Sequence, residues 1–208
     1  MQSKKIGLAV IIVLSVLNIL LISIIHLKIR ECRYLESKLS DAQLIYQDLI
    51  YDNKLALMNL GYKLKDIEIS YNGEDSNAWL LSESISKPSL IIYIPFSEDL
   101  CSSCVRYAIT KVENAYPSLV QNNRVQIITS NYNPLVKSRV YKINILYLSI
   151  ENPKLNIPAD RDEIEILPRY LIVNKDLIIT SFFTPNSQYP ERTDDYLQSV
   201  TNFLQNYE

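Results

Sequence analysis

The sequence predicts an α/β domain with a mixed sheet flanked by helices, carried behind a membrane-spanning helix and a helical spacer. Three observations carry this reading. An uncharged run, IGLAVIIVLSVLNILLISII, occupies residues 6–25. Residues 32–60 repeat apolar positions at alternating threes and fours, without Gly or Pro. Further on, apolar runs of strand length alternate with segments of helical periodicity. The expected divisions are an anchor over 1–26, a spacer over 27–63 and the α/β domain over 64–208.

A chain of 208 residues, 48% hydrophobic, suffices for one well-cored domain and an appendage. Its formal charge of -2, from 21 basic and 23 acidic residues, supplies no cationic field, and no basic patch is interleaved with aromatics. Nucleic acid is therefore not an expected partner.

At about 1.5 Å per residue the first run reaches roughly 30 Å, the thickness of a bilayer's hydrocarbon core. Its only polar members are Ser15, Asn18 and Ser23. The run is long for a signal-peptide h-region, and no small-x-small site follows in HLKIREC, so an uncleaved single-pass anchor is expected. Arg30 and Glu31 before Cys32 do not suit a lipoprotein site. Lys4 and Lys5 precede the span, and Lys28, Arg30 and Arg33 follow it, so charge counting does not favour an inside N-terminus. Long C-terminal domains translocate largely regardless of charge, which places this one outside the cytoplasm, on the periplasmic side.

The spacer's repeat runs through Cys32, Leu35, Leu39, Ala42, Tyr46, Leu49, Asn53, Ala56 and Leu60. Two readings stand. One is a helix that packs on its own domain or stays solvated. The other is a homodimer through residues 32–60, a parallel coiled coil in which Asn53 sets the register and Cys32 meets its twin. Gly61 is the expected helix stop.

Beyond it, IEIS reads as a strand, Asn72-Gly73 as a turn, and Leu80 and Leu81 as part of a short segment on the core. LIIYI (90–94) is a buried strand. Val105, Ile109, Val112, Tyr116 and Leu119 mark one face of the helix that follows. RVQIITS (124–130) is the next strand, Pro134 opens a short helix through Tyr141, and INILYLSI is a third extended piece. After the acidic loop IPADRDEIEI come RYLIV and LIITSFF, joined at Asn174-Lys175-Asp176, and a last helix with Thr193 as its N-cap.

Two cysteines, Cys101 and Cys104, stand in PFSEDLCSSCVRYAI between the first buried strand and its helix. A zinc site needs about four N or S ligands. The chain adds only Cys32 and a single histidine, His26, at the membrane boundary. Structural zinc, Ser-His-Asp and Cys-His chemistry and a copper-delivery site all fail on this count, and no Gly-rich loop is present to hold phosphate. Neither metal nor cofactor is expected. Residues i and i+3 in a helical turn lie roughly 5–6 Å apart, within disulfide range. Cys101 falls where the helix dipole and free N–H groups stabilise a thiolate, and Cys104 points back into the first turn.

With the strand, the cysteine pair, the helix and EILPRYLIVNKDLIIT in this order, residues 65–208 resemble the thioredoxin-like superfamily. The closest resemblance is to bacterial membrane-anchored thiol-disulfide oxidoreductases. It implies catalysis by Cys101 and Cys104, with a cis-proline at Pro168 against the pair and the Leu167 backbone receiving a substrate strand. The implied partners are thiol- or disulfide-containing proteins and a redox partner that recycles the pair. The chain departs from the family pattern in Leu100, where an aromatic is usual, in the Ser102-Ser103 dipeptide, and in Pro95, where thioredoxin has a buried acid. Glu98 and Asp99 stand close to the pair, where their charge would oppose a Cys101 thiolate. Two other functions compete: a thioredoxin-like interaction or assembly domain with a structural disulfide and no catalysis, and a tethered assembly or sensor protein whose working part is the coiled coil.

The anchor has a direct test. The full-length chain is expected to sediment with membranes and resist carbonate extraction, whereas a mature N-terminus within residues 26–33 would show cleavage instead.

Overall fold

The computed structural model describes residues 2–71, 78–95, 100–121, 123–130, 143–149, 154–158 and 167–206. The Asn72-Gly73 turn, the helix from Pro134, Glu98, Asp99 and most of the acidic loop lie outside the described residues. The chain divides into two compact units, Met1–Tyr51 and Asp52–Glu208.

A single helix, α1 (Gln2–Asn59), spans the first unit and enters the second. Within the first unit the described side chains from Val13 to Ile50 are all exposed. Among the described residues, this one helix is long and apolar enough to cross a membrane.

The second unit holds a seven-stranded sheet. Its strands are β1 (Glu68–Ser70), β2 (Trp79–Leu80), β3 (Ser89–Ile94), β4 (Val125–Ser130), β5 (Asn144–Leu148), β6 (Arg169–Val173) and β7 (Ile179–Phe183), in the order β2-β1-β5-β4-β3-β6-β7. β3, β4 and β5 run parallel, and β6 and β7 are antiparallel. This is the mixed sheet expected of a thioredoxin-like domain. All residues of β3, β4 and β6 are buried, the pattern of strands covered on both faces.

Helices α2 (Leu81–Ser84), α3 (Ser102–Ala115), α4 (Pro117–Gln121) and α5 (Pro190–Gln205) complete the domain. Val105, Ala108, Ile109 and Val112 of α3 join Leu90, Ile92, Ile94, Ile127 and Tyr170 of the sheet, and Leu197, Val200 and Leu204 of α5, in one buried cluster. α3 ends earlier than its apolar repeat suggested. Tyr116 is forced out of the helical region (φ -135, ψ 55) by Pro117, which disfavours α geometry in the residue before it. α5, conversely, starts before Thr193: Pro190 occupies its first turn, where a missing N–H costs nothing. Thr193 is buried one turn in, its hydroxyl accepting from Asn186 N.

The end of α1 belongs to the globular unit. Leu55 and Asn59 are buried, Asn59 Nδ2 donates to Leu55 O (2.7 Å), and Asp52 pairs with Arg192 at 3.1 Å. Asn53 and Leu60 of the spacer's repeat remain exposed, so the buried face is a different one. Gly61 stops the helix with φ +77, as expected. Its N–H donates to Ile179 O, and Ile179 N donates to Tyr62 O. The outer edge of β7 is thereby partly covered, which protects it from edge-to-edge pairing.

Leu55→Ala in the Asp52–Glu208 unit should lower its unfolding free energy by about 2–5 kcal/mol in a urea titration. Leu57→Ala, at a side chain 74% exposed, should stay within about 0.5 kcal/mol of the parent.

Candidate functional site

The helix that carries the cysteines begins where β3 leaves the sheet. Cys101 is the N-cap of α3, with extended backbone (φ -66, ψ 98), and its sulfur accepts from Cys104 N at 3.3 Å. Val105 N donates to Cys101 O (3.0 Å), closing the first turn. The i, i+3 spacing brings the two Cα atoms to 5.2 Å, and a disulfide joins Cys101 to Cys104. The Ser103 hydroxyl lies 3.4 Å from Cys101 Sγ. Val105 and Ile109 are fully buried and Leu100 packs on the same cluster, so the pair is set by the helix's core contacts rather than by loop. Both cysteines are half-buried.

The 14-residue α3 presents its N-terminal end to Cys101 Sγ, and the first turn of the helix carries no acidic side chain.

Pro168 is buried and precedes β6, one step beyond the Tyr93–Arg169 pair that aligns β6 with β3. It thus sits at the sheet end from which the chain leaves toward Cys101. Leu167 beside it is half-buried. The Leu167–Pro168 bond is trans, which corrects the cis expectation: among the described residues no peptide bond is cis. Trans is the favoured isomer of X–Pro by about 0.5–1 kcal/mol, and only the family resemblance, not the local sequence, argued against it.

Residues that the sequence reading passed over hold α3 in place. Tyr170 of β6 donates from its hydroxyl to Ala108 O of α3 (2.7 Å), and its ring lies beside the stacked Phe183–Tyr196 pair, 6.3 Å from the first centroid and 6.1 Å from the second. Lys111 of α3 pairs with Asp194 of α5 at 3.0 Å, and the Tyr116 hydroxyl donates to Asp194 O. The Asp194 hydrogen bond holds the Lys111 pKa above its usual value. Burial raises the Tyr170 phenol well above the ordinary tyrosine range. Burial also raises Tyr196, partly offset by its hydrogen bond with Ser181. Arg169 is buried at 3% exposure, its Nη1 donating to Thr184 Oγ1 and its guanidinium over the Phe182 ring. Thr129, fully buried opposite Ile94 at the same sheet end, has no hydrogen-bond partner for Oγ1 among the described residues. Thr129, Arg169 and Tyr170 stood out only as polar or aromatic residues in otherwise apolar strands, and Lys111, Asp194 and Tyr196 lie on helices, where such residues are ordinary.

No family model matches the chain, and no curated protein matches it. Several solved structures are similar to it. A putative thiol:disulfide interchange protein DsbE from Chlorobium tepidum is 10% identical, with 68% of this chain and 97% of that one covered and a TM-score of 0.45. The peroxidoxin BcpB from Mycobacterium tuberculosis is 14% identical, covering 70% and 97%, with a TM-score of 0.46. The reduced 2-Cys peroxiredoxin of Plasmodium vivax is 17% identical, covering 69% and 99%, with a TM-score of 0.41.

The tyrosine packing gives a pH dependence. The folded-state pKa values of Tyr170 and Tyr196 lie above their unfolded values, so their contribution is complete below about pH 10, the unfolded tyrosine pKa, and is lost as pH rises beyond it. Urea midpoints should therefore fall in alkali. Tyr170→Phe should make that fall shallower while costing about 0.5–1.5 kcal/mol at neutral pH, because the buried hydrogen bond to Ala108 O is lost.

Proposed function

We propose that this chain is a membrane-anchored thiol-disulfide oxidoreductase that exchanges disulfides with extracytoplasmic proteins through Cys101 and Cys104. The observation that carries the proposal is the disulfide at the N-terminus of α3, directly after a central buried strand.

In the reducing direction, the Cys101 thiolate attacks one sulfur of a partner's disulfide. A mixed disulfide forms and the partner's other sulfur leaves as a thiolate. Cys104, deprotonated, then attacks Cys101 Sγ, closing the Cys101–Cys104 bond and releasing the partner's second thiolate. Two electrons pass to the partner, whose thiolates take up the two protons given up by Cys101 and Cys104. The oxidising direction is the reverse, and a second redox protein returns the pair to its starting state. Pro168 has no N–H to compete where a substrate strand docks, and the Leu167 backbone offers the polar groups that pair with it. The helix through residues 6–25 holds the domain at the periplasmic face of the membrane. Exposed Leu35, Leu39 and Tyr46 suit pairing of two copies along the spacer.

A second reading, an interaction domain with a structural disulfide, is favoured by Leu100, the Ser102-Ser103 dipeptide and the missing buried acid at Pro95. Mixed-disulfide trapping separates the two. Cys104→Ser should accumulate partner adducts that a reductant releases, and Cys101→Ser should trap few or none. Adducts from neither variant, with a potential far below about -300 mV, would establish the structural bond instead.

A further inference from the structure

At the sheet end opposite the disulfide, where β3, β4 and β5 begin, an open cleft of about 680 Å³ is lined by Tyr71, Trp79, Lys87, Arg124, Gln126 and Asn144 among others. The six-residue β3 separates it from the cysteines by roughly 20 Å, at about 3.3 Å per residue. It plays no part in the proposed exchange.

Three features define what the cleft accepts. The first is charge. Arg124, 8% exposed, donates from Nε to Pro88 O (2.8 Å) and from Nη2 to Leu204 O (3.3 Å). Both partners are carbonyls, and no carboxylate among the described residues pairs with it. Lys87 adds a second cation, and Glu83 is the single acid of the lining, so the cleft carries a net charge of +1, two cations less one anion. An anionic group is favoured.

The second is an orphaned acceptor. Gln126 is 7% exposed, and its Nε2 donates to Ser84 O (3.2 Å) while Oε1 has no partner among the described residues. A buried carbonyl left without a donor costs about 1–3 kcal/mol. The terminal torsion of a glutamine is soft, so the amide can turn Oε1 toward a ligand hydroxyl in exchange for the bond to Ser84 O.

The third is an aromatic wall. Trp79 Nε1 donates to Ser84 Oγ at 2.6 Å, which fixes the indole, and the exposed Tyr71 ring leans on it at 4.6 Å with a 47° tilt. The pair offers an apolar surface on which the C–H face of a sugar ring can pack. Serine hydroxyls and the Asn144 amide surround it.

We propose that this cleft binds an acidic saccharide, its ring on Trp79 and Tyr71, a hydroxyl on Gln126 and its carboxylate facing Lys87 and Arg124. Trp79 is the chain's single tryptophan, so its fluorescence reads the cleft directly. The full chain, in a sugar-free detergent, is titrated with a glucuronic acid disaccharide, its neutral glucose counterpart and an acidic tripeptide. The acidic sugar should give a saturable change, with the neutral sugar at least about fivefold weaker, and Gln126→Leu should weaken both by about tenfold, the loss of one buried hydrogen bond. Lys87→Gln, at an exposed position, should abolish the preference for the acidic sugar even if Gln126→Leu fails to fold. No saturable response to either sugar, equal affinity for both, or tighter binding of the tripeptide would overturn the proposal. None of these results bears on the trapping behaviour of the cysteines.

Discussion

The complete burial of β3 is the constraint on which the rest of the domain depends. Its residues Ser89–Ile94 pair with parallel β4 on one side and antiparallel β6 on the other, and the helical layer of α3 and α5 covers one face. A strand buried in this way has no freedom of register, because a shift by one residue would move every side chain to the opposite face. The point at which the chain leaves β3 is therefore fixed, and with it the start of α3. The cysteines inherit their position from that exit. Leu100 and Val105, on either side of the pair, pack into the same cluster that buries Ile92 and Ile94.

The same layer explains the tyrosines. Tyr170 reaches from β6 to Ala108 of α3, while Tyr196 and Asp194 of α5 hold the neighbouring rings and Lys111. α3 is thus tied at its N-terminus by its cap, along one face by apolar contacts and toward its C-terminal half by hydrogen bonds and an ion pair. A helix held this firmly keeps Cys101 and Cys104 at bonding distance, so reduction and oxidation need no large backbone movement. The two ends of the sheet differ in chemical character. Half-buried sulfur stands where β3 ends, and a polar, cationic cleft lies where it begins.

What the sequence by itself determined was whatever depends on local pattern. LIIYI, RVQIITS and RYLIV are apolar runs too short for helices, and each became a buried strand. Gly61 took the left-handed conformation at the helix end, as a residue without Cβ does readily, and the i, i+3 cysteines bonded because one helical turn brings them together. The tertiary structure decided what depends on contacts between distant segments. Strand order is such a property, since no local signal says that β6 pairs with β3 rather than with β5. The face of α1 that is buried near its end was chosen by what the domain offers to Leu55 and Asn59, and Asn53 and Leu60 of the heptad-like repeat stayed outside. The Leu167–Pro168 bond keeps the trans isomer that local chemistry favours, and the cis expectation rests on the family resemblance alone. The cleft of Trp79, Arg124 and Gln126 was invisible, its residues being scattered along the chain and meeting only where the parallel strands begin on a common edge.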